Sequence, residues 1–156
     1  MIFYDKRNNS GGWRYLEAAP VEAEFQAVWS VRSTSVANTQ QIIGSGKQNT
    51  QLILERFSQA SGEWDTAAQK VEELNFNGFN DWFLPSRDEL DQMYGNLKRR
   101  NLGDFKNDWY WSSTYETGWG SEGVFGQNFE NARIARNYYS SRYFVRPIRQ
   151  VAGPNN

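Results

Sequence analysis

"YYSSRYFVRPIR", residues Tyr138–Arg149, decides how this chain is read. Its second half, through Phe144, Arg146 and Ile148, reads as the alternation of a half-buried strand. Its first half stacks Tyr, Ser and Arg, side chains suited to contacting a partner and poor at filling a core. A contact-making stretch thus runs directly into what reads as the last structural strand.

Upstream, "MIFYDK" is a second apolar, aromatic strand candidate. "NNSGG" (Asn8–Gly12) reads as a turn and "WRYLEAAP" as another extended stretch. A polar loop over Ser33–Gln40 leads through "GSGKQNT" into the helical pattern "TQLILERF", with Leu52, Ile53 and Phe57 on one face. "GEWDTAAQKVEELNF" predicts a second helix through Trp64, Ala67, Ala68, Val71 and Leu74. In "NGFNDWFLPSRDELDQMYGNL", Asn80-Asp81 closes a turn and Trp82-Phe83-Leu84 forms a short apolar segment ended by Pro85. Ser86 and Glu89 then make the S-x-x-E capping box of a third helix, whose buried stripe is Leu90, Met93, Tyr94 and Leu97. From Trp109 onward, "WYWSST", "VFGQNF" and "YFVRPIR" read as strands. The pattern predicts an α+β fold with a mostly antiparallel sheet and two to three helices. A single domain is expected over 1–150, with 151–156 a frayed tail.

The chain has 156 residues, a formal net charge of −1 and 16% aromatic residues, with seven Trp, eight Tyr and ten Phe. Balanced charge argues against nucleic acid and membrane surfaces as partners, since both need a basic field. Lys98-Arg99-Arg100 ends a helical pattern, where cations complement the macrodipole. The absence of Cys and His removes thiol nucleophiles, disulfides, Cys/His zinc sites and imidazole-dependent triads. No apolar run is long enough to span a bilayer, and Met1–Asp5 does not resemble a signal peptide, so any export route is expected outside this sequence.

The remaining chemical motifs are weak. "GSGKQNT" fails as a phosphate loop, because Gln41 stands where a Gly is needed and Gln48 where a hydroxyl is needed. Asp88 and Glu89 are adjacent at a helix start, where their side chains diverge and favour the helix dipole. Glu63 and Asp65 at the start of the preceding helix have the same explanation, which leaves a carboxylate pair for glycoside hydrolysis as the less favoured reading. No calcium-loop spacing is present, and no metal or cofactor is expected. Trp64, Trp82, Trp109 and Trp111 sit in patterned segments and are assigned to packing. Residues 115–143 differ: fourteen of these twenty-nine are Tyr, Gly, Ser or Asn. Tyr gives rigid amphipathic contact area and the small polar residues adapt their hydrogen bonding, as in antibody paratopes.

The blocks "FYDK…GGWRYLEAAP", "GSGKQNT", "NGFNDWFLPSRDELDQMYGNL", "YWSST", "QNF" and "VRPIR", in that order, resemble the C-terminal domain of bacterial collagen-like adhesins of the Lcl type. Many relatives look like variable proteins of diversity-generating retroelements. The resemblance implies a C-type-lectin fold with paired N- and C-terminal strands, here "MIFYDK" against "YFVRPIR" with Phe3 and Val145 in one sheet. It also implies a diversified binding face at Tyr115, Thr117, Gly118, Ser121, Arg133, Ala135, Asn137, Tyr138, Ser140, Ser141 and Tyr143, with Tyr138 and Tyr143 as anchors. Randomising the adenines of an adenine-adenine-pyrimidine codon cannot produce Met, Trp, Gln, Lys or Glu. Glu116, Trp119, Glu122, Gln127 and Glu130 are therefore expected to be fixed. Lectin-fold enzymes that make formylglycine depend on Cys, so that activity is excluded.

The resulting expectation is a monomeric, non-enzymatic binding protein of a virion or cell surface. Its ligand would be a protein or surface receptor, with a glycan as the alternative. The rivals are a carbohydrate-binding domain of fixed specificity and a carboxylate-based glycosidase.

Overall fold

The computed structural model describes residues 1–58, 65–118 and 123–154. The chain forms β1 (Ile2–Asp5), β2 (Tyr15–Ala18) and β3 (Phe25–Ala27), then three helices, α1 (Gly46–Ser58), α2 (Ala67–Glu72) and α3 (Arg87–Asn96). Five strands follow: β4 (Trp109–Glu116), β5 (Gly123–Asn128), β6 (Ile134–Asn137), β7 (Tyr143–Val145) and β8 (Ile148–Val151). They build a three-stranded sheet, β1-β2-β8, and a five-stranded sheet, β3-β7-β4-β5-β6. All ladders are antiparallel except the short contact of β4 with β7. This is the expected α+β class.

The terminal strands share a sheet, but they are not direct partners. β1 pairs with β2, and β2 with β8, whereas Phe3 and Val145 lie in separate sheets. "YFVRPIR" is two strands, split at Arg146-Pro147. Proline lacks the N–H that would continue the ladder. Its alternation also fails: Val145, Arg146, Pro147 and Ile148 are all buried.

Arg146 explains why a cation tolerates that position. Its side chain is 1% exposed and grips Glu24, itself 4% exposed, through Nε at 3.0 Å and Nη2 at 2.6 Å. Its Nη1 donates to Gly103 O at 2.8 Å and the guanidinium covers the Phe105 ring. Tyr110 Oη donates to the same Glu24 oxygen. A buried charge persists only when paired and fully bonded, as here.

Two apolar clusters flank the sheets. Alternation along the chain feeds both: Trp82 and Trp111 enter one, Phe83 and Tyr110 the other. α3 starts as read, with Ser86 Oγ accepting from Glu89 N and Ser86 N donating to Glu89 Oε2 at 2.7 Å. α2 is shorter than its pattern, beginning at Ala67 after Thr66, whose N–H donates to Gln69 Oε1; Glu63 and Trp64 lie outside the described residues. The tight turn falls at Asn77-Gly78 rather than Asn80-Asp81, with φ of 53° and 77° between the bridged Phe76 and Phe79, the geometry of a two-residue hairpin turn. The tail is held rather than frayed: Val151 pairs with Tyr15, and Gly153 N donates to Asn9 Oδ1. Residues 155–156 lie outside the described residues.

Candidate functional site

β4, β5, β6 and β7 carry the candidate positions. Cross-strand register aligns Tyr115, Val124 and Asn137 in one row and Trp111, Gly126 and Ala135 in the next. Gly126 leaves room for the Asn137 amide: a Cβ there would come within 3.2 Å of Asn137 Nδ2 and 3.0 Å of Tyr110 O. Tyr143 completes this face from β7. Its ring packs against Trp109 and Trp111, centroids 5.8 and 4.5 Å away, and its hydroxyl donates to Asn137 Oδ1 at 3.1 Å. Tyr115 stacks on Trp29 at 5.8 Å.

Beside this row lies a cleft of about 340 Å³, walled by Tyr115, Asn137, Tyr138 and Tyr139 with Ser33 and Thr34, and reached by Arg136. Adjacent tyrosines divide their work. Tyr138 is 81% exposed, whereas Tyr139 packs on the core and its carbonyl accepts from Trp29 N and Ser30 N. Ser141 N closes the turn onto Tyr138 O.

Of the other candidate positions, Thr117, Gly118, Arg133 and Ser140 are exposed, and Ala135 and Ser141 are partly buried. Ser121 lies outside the described residues, as do Trp119 and Glu122 of the expected fixed set. Gln127 is 1% exposed and its Nε2 donates to Asp91 Oδ1 at 2.8 Å. Glu116 holds Arg136 at 3.1 Å, and Glu130 is exposed. Ser33, Thr34, Arg136 and Tyr139 were not among the sequence candidates. Only the polarity of the Ser33–Gln40 loop hinted at the first two.

"YWSST" and "GSGKQNT" brace this face from behind. The β4–β5 register shifts between Trp111 and Tyr115, and the hydroxyls of residues 112–114 bond main-chain carbonyls: Ser112 donates to Phe125 O of β5, Ser113 to Pro85 O and Thr114 to Gln40 O. Thr39 Oγ1 donates to Tyr115 O and accepts from Tyr115 N. The glycine loop cradles the protein's own carboxylate, with Gly44 N donating to Glu89 Oε1 at 2.8 Å. Burial pushes the Glu89 carboxyl up to about 7, against the pull of the Ser86, Gly44 and Gly46 N–H groups. Such a value marks many catalytic acids, but Glu89 is fully buried between loop and helix and does not line the cleft. Among the described residues no cluster of acidic side chains could hold a metal, and no helix is long and apolar enough to cross a membrane.

The model of one protein family, the Lcl C-terminal domain, matches residues 24–149. That span takes in β3 through the first half of β8 and leaves β1 and β2 outside it. No curated protein matches the sequence.

Proposed function

The chain belongs to the Lcl C-terminal domain family, and on that premise we propose that it is a non-enzymatic binding protein of a cell or virion surface. Its C-terminal segment is a diversified contact face on a fixed scaffold of the C-type-lectin type. One contrast within residues 109–149 supports this reading most. Trp111, Ser112, Ser113, Gln127, Val145 and Arg146 are buried, while Thr117, Gly118, Arg133, Tyr138 and Ser140 are exposed. Replacing an exposed side chain costs little stability, whereas a buried one cannot be replaced at random.

A carbohydrate-binding domain of fixed specificity draws support from the tyrosine walls of the cleft and the Ser33, Thr34 and Asn137 side chains among them. The coding locus separates the two readings. Diversification requires a near-identical copy of the segment encoding Tyr110–Arg149 beside a reverse transcriptase gene, differing from it chiefly at adenines. A locus with neither favours fixed specificity.

A further inference from the structure

Four of the described tryptophans are buried, and three of them donate the indole N–H to a main-chain carbonyl. Trp29 Nε1 reaches Ser112 O at 3.1 Å, Trp82 Nε1 reaches Phe79 O at 3.1 Å and Trp111 Nε1 reaches Ala27 O at 3.0 Å. Trp13 is the exception. It is 9% exposed, and its Nε1 has no partner among the described residues. Nor is that N–H sealed from solvent: the unpartnered side-chain atoms that are sealed among these residues are Arg87 Nε and Gln127 Oε1. Buried indole N–H groups ordinarily find an acceptor, so a free one needs a reason.

The neighbours of Trp13 show where its N–H edge points. Lys6 Nζ donates to Ser10 O and lies 3.9 Å from the indole centroid, covering the ring. The N–H edge runs past two glycines of positive φ, Gly11 at 68° and Gly44 at 97°. A Cβ on Gly11 would lie 3.9 Å from Nε1, and one on Gly44 would lie 3.3 Å from Cζ2. Both glycines line a cleft of about 330 Å³, with Trp13, Lys47 and Gln48 at the start of α1, and Gln150 of β8. The side chains of Lys47, Gln48 and Gln150 make no hydrogen bond or ion pair among the described residues, and no acidic residue lines the cleft. The N–H groups of Gly44 and Gly46 are committed to Glu89, so side chains furnish this cleft.

From this arrangement we infer that the cleft is a second binding site, for a small hydroxylated carboxylic acid. An indole N–H only donates and a lysine ammonium only donates. Together Trp13 and Lys47 fit a group that only accepts and carries one negative charge, a carboxylate. A phosphate dianion would exceed the single uncommitted cation. The Gln48 and Gln150 amides both donate and accept, which matches hydroxyl groups. With Lys6 over its ring, Trp13 acts as a donor rather than as a stacking platform for a neutral sugar. The volume is at the lower end for small-molecule sites. This cleft shares no residue with the one walled by Tyr115 and Tyr138, so the inference goes beyond the contact-face reading and is independent of it. Gly11 and Trp13 also precede the span matched by the family model.

The test follows the assigned Trp13 indole N–H signal by NMR on the whole chain during titration with D-gluconate. A saturable shift is expected, with no comparable response to D-glucose or inorganic phosphate at equal concentration. Lys47→Gln changes an exposed position and should keep the fold while weakening gluconate binding by about ten-fold or more, the loss of one charged hydrogen bond. Trp13→Phe removes the donor and keeps an aromatic ring; followed through the Gln48 side-chain amide, it should weaken binding to a similar degree. A shift of the same size with glucose would overturn the carboxylate assignment, and a tighter response to phosphate would do the same. No shift with gluconate, or an unchanged affinity in folded Lys47→Gln, would overturn the site itself.

Discussion

Arg146 is the sharpest test of the scaffold. Arg146→Met keeps much of the stem but strips Glu24 of the two contacts at 3.0 and 2.6 Å and frees the Gly103 carbonyl. The Glu24 side chain is 4% exposed, so its carboxylate stays behind with Tyr110 Oη as its remaining donor. Removing one partner of a buried ion pair costs about 3–5 kcal/mol. For a chain of this length that is a fall in Tm of roughly 10 °C or more. Pairing the change with Glu24→Met removes the stranded charge and should recover most of the loss, because buried pairs replaced as a unit are often near neutral. Urea unfolding of the parent, both single variants and the double variant closes the cycle. A single-variant loss below about 1 kcal/mol, or a double variant less stable than Arg146→Met, would refute the reasoning.

Other changes follow from the same contacts. The folded pKa of Glu89 lies near 7, above the ordinary 4.5. Its stability contribution is therefore full below pH 4.5 and lost as pH rises through 7, a swing of about 3 kcal/mol. Glu89→Gln should flatten that slope, and identical pH profiles would contradict it. Gly46→Ala drives a methyl into the Glu89 carboxylate and within 2.7 Å of Leu84 O; it should abolish folding, as circular dichroism would report. Ser86→Ala should cost about 1 kcal/mol and Trp82→Ala about 3–5 kcal/mol in urea titrations, neither changing ligand choice in the folded protein. If Trp82→Ala kept its stability and lost binding, Trp82 would be a contact.

Local signals were the legible ones. The α3 cap could be read from Ser86 and Glu89 because a capping box lies within one turn of chain. The tryptophans at 82 and 111 fall where a period of two or an apolar run places them. What stayed hidden depends on partners distant in sequence. Nothing near Arg146 announces Glu24, so a buried clamp reads as the polar face of a strand. β3 and β6 were missed because each is short and takes its pairing from strands elsewhere in the chain. Tyr143 illustrates the same limit at the candidate site. Its composition suggested a free anchor, yet Trp109, Trp111 and Asn137 hold it. Tyr138, one of the same residue type, stands free.

The central claim is a rewritable face on a fixed scaffold, and a displayed library tests it most directly. Thr117, Arg133, Tyr138 and Ser140 are randomised together, with a control library at Trp111, Gln127, Val145 and Arg146. Thermal unfolding of random members and ligand selection against a panel of proteins are then measured. Most members of the first library should melt within about 5 °C of the parent, since exposed sites cost little, and should yield binders of differing specificity, while the control library should be largely unfolded. If the first library unfolds like the control, or every folded member keeps a single shared ligand, the claim is contradicted.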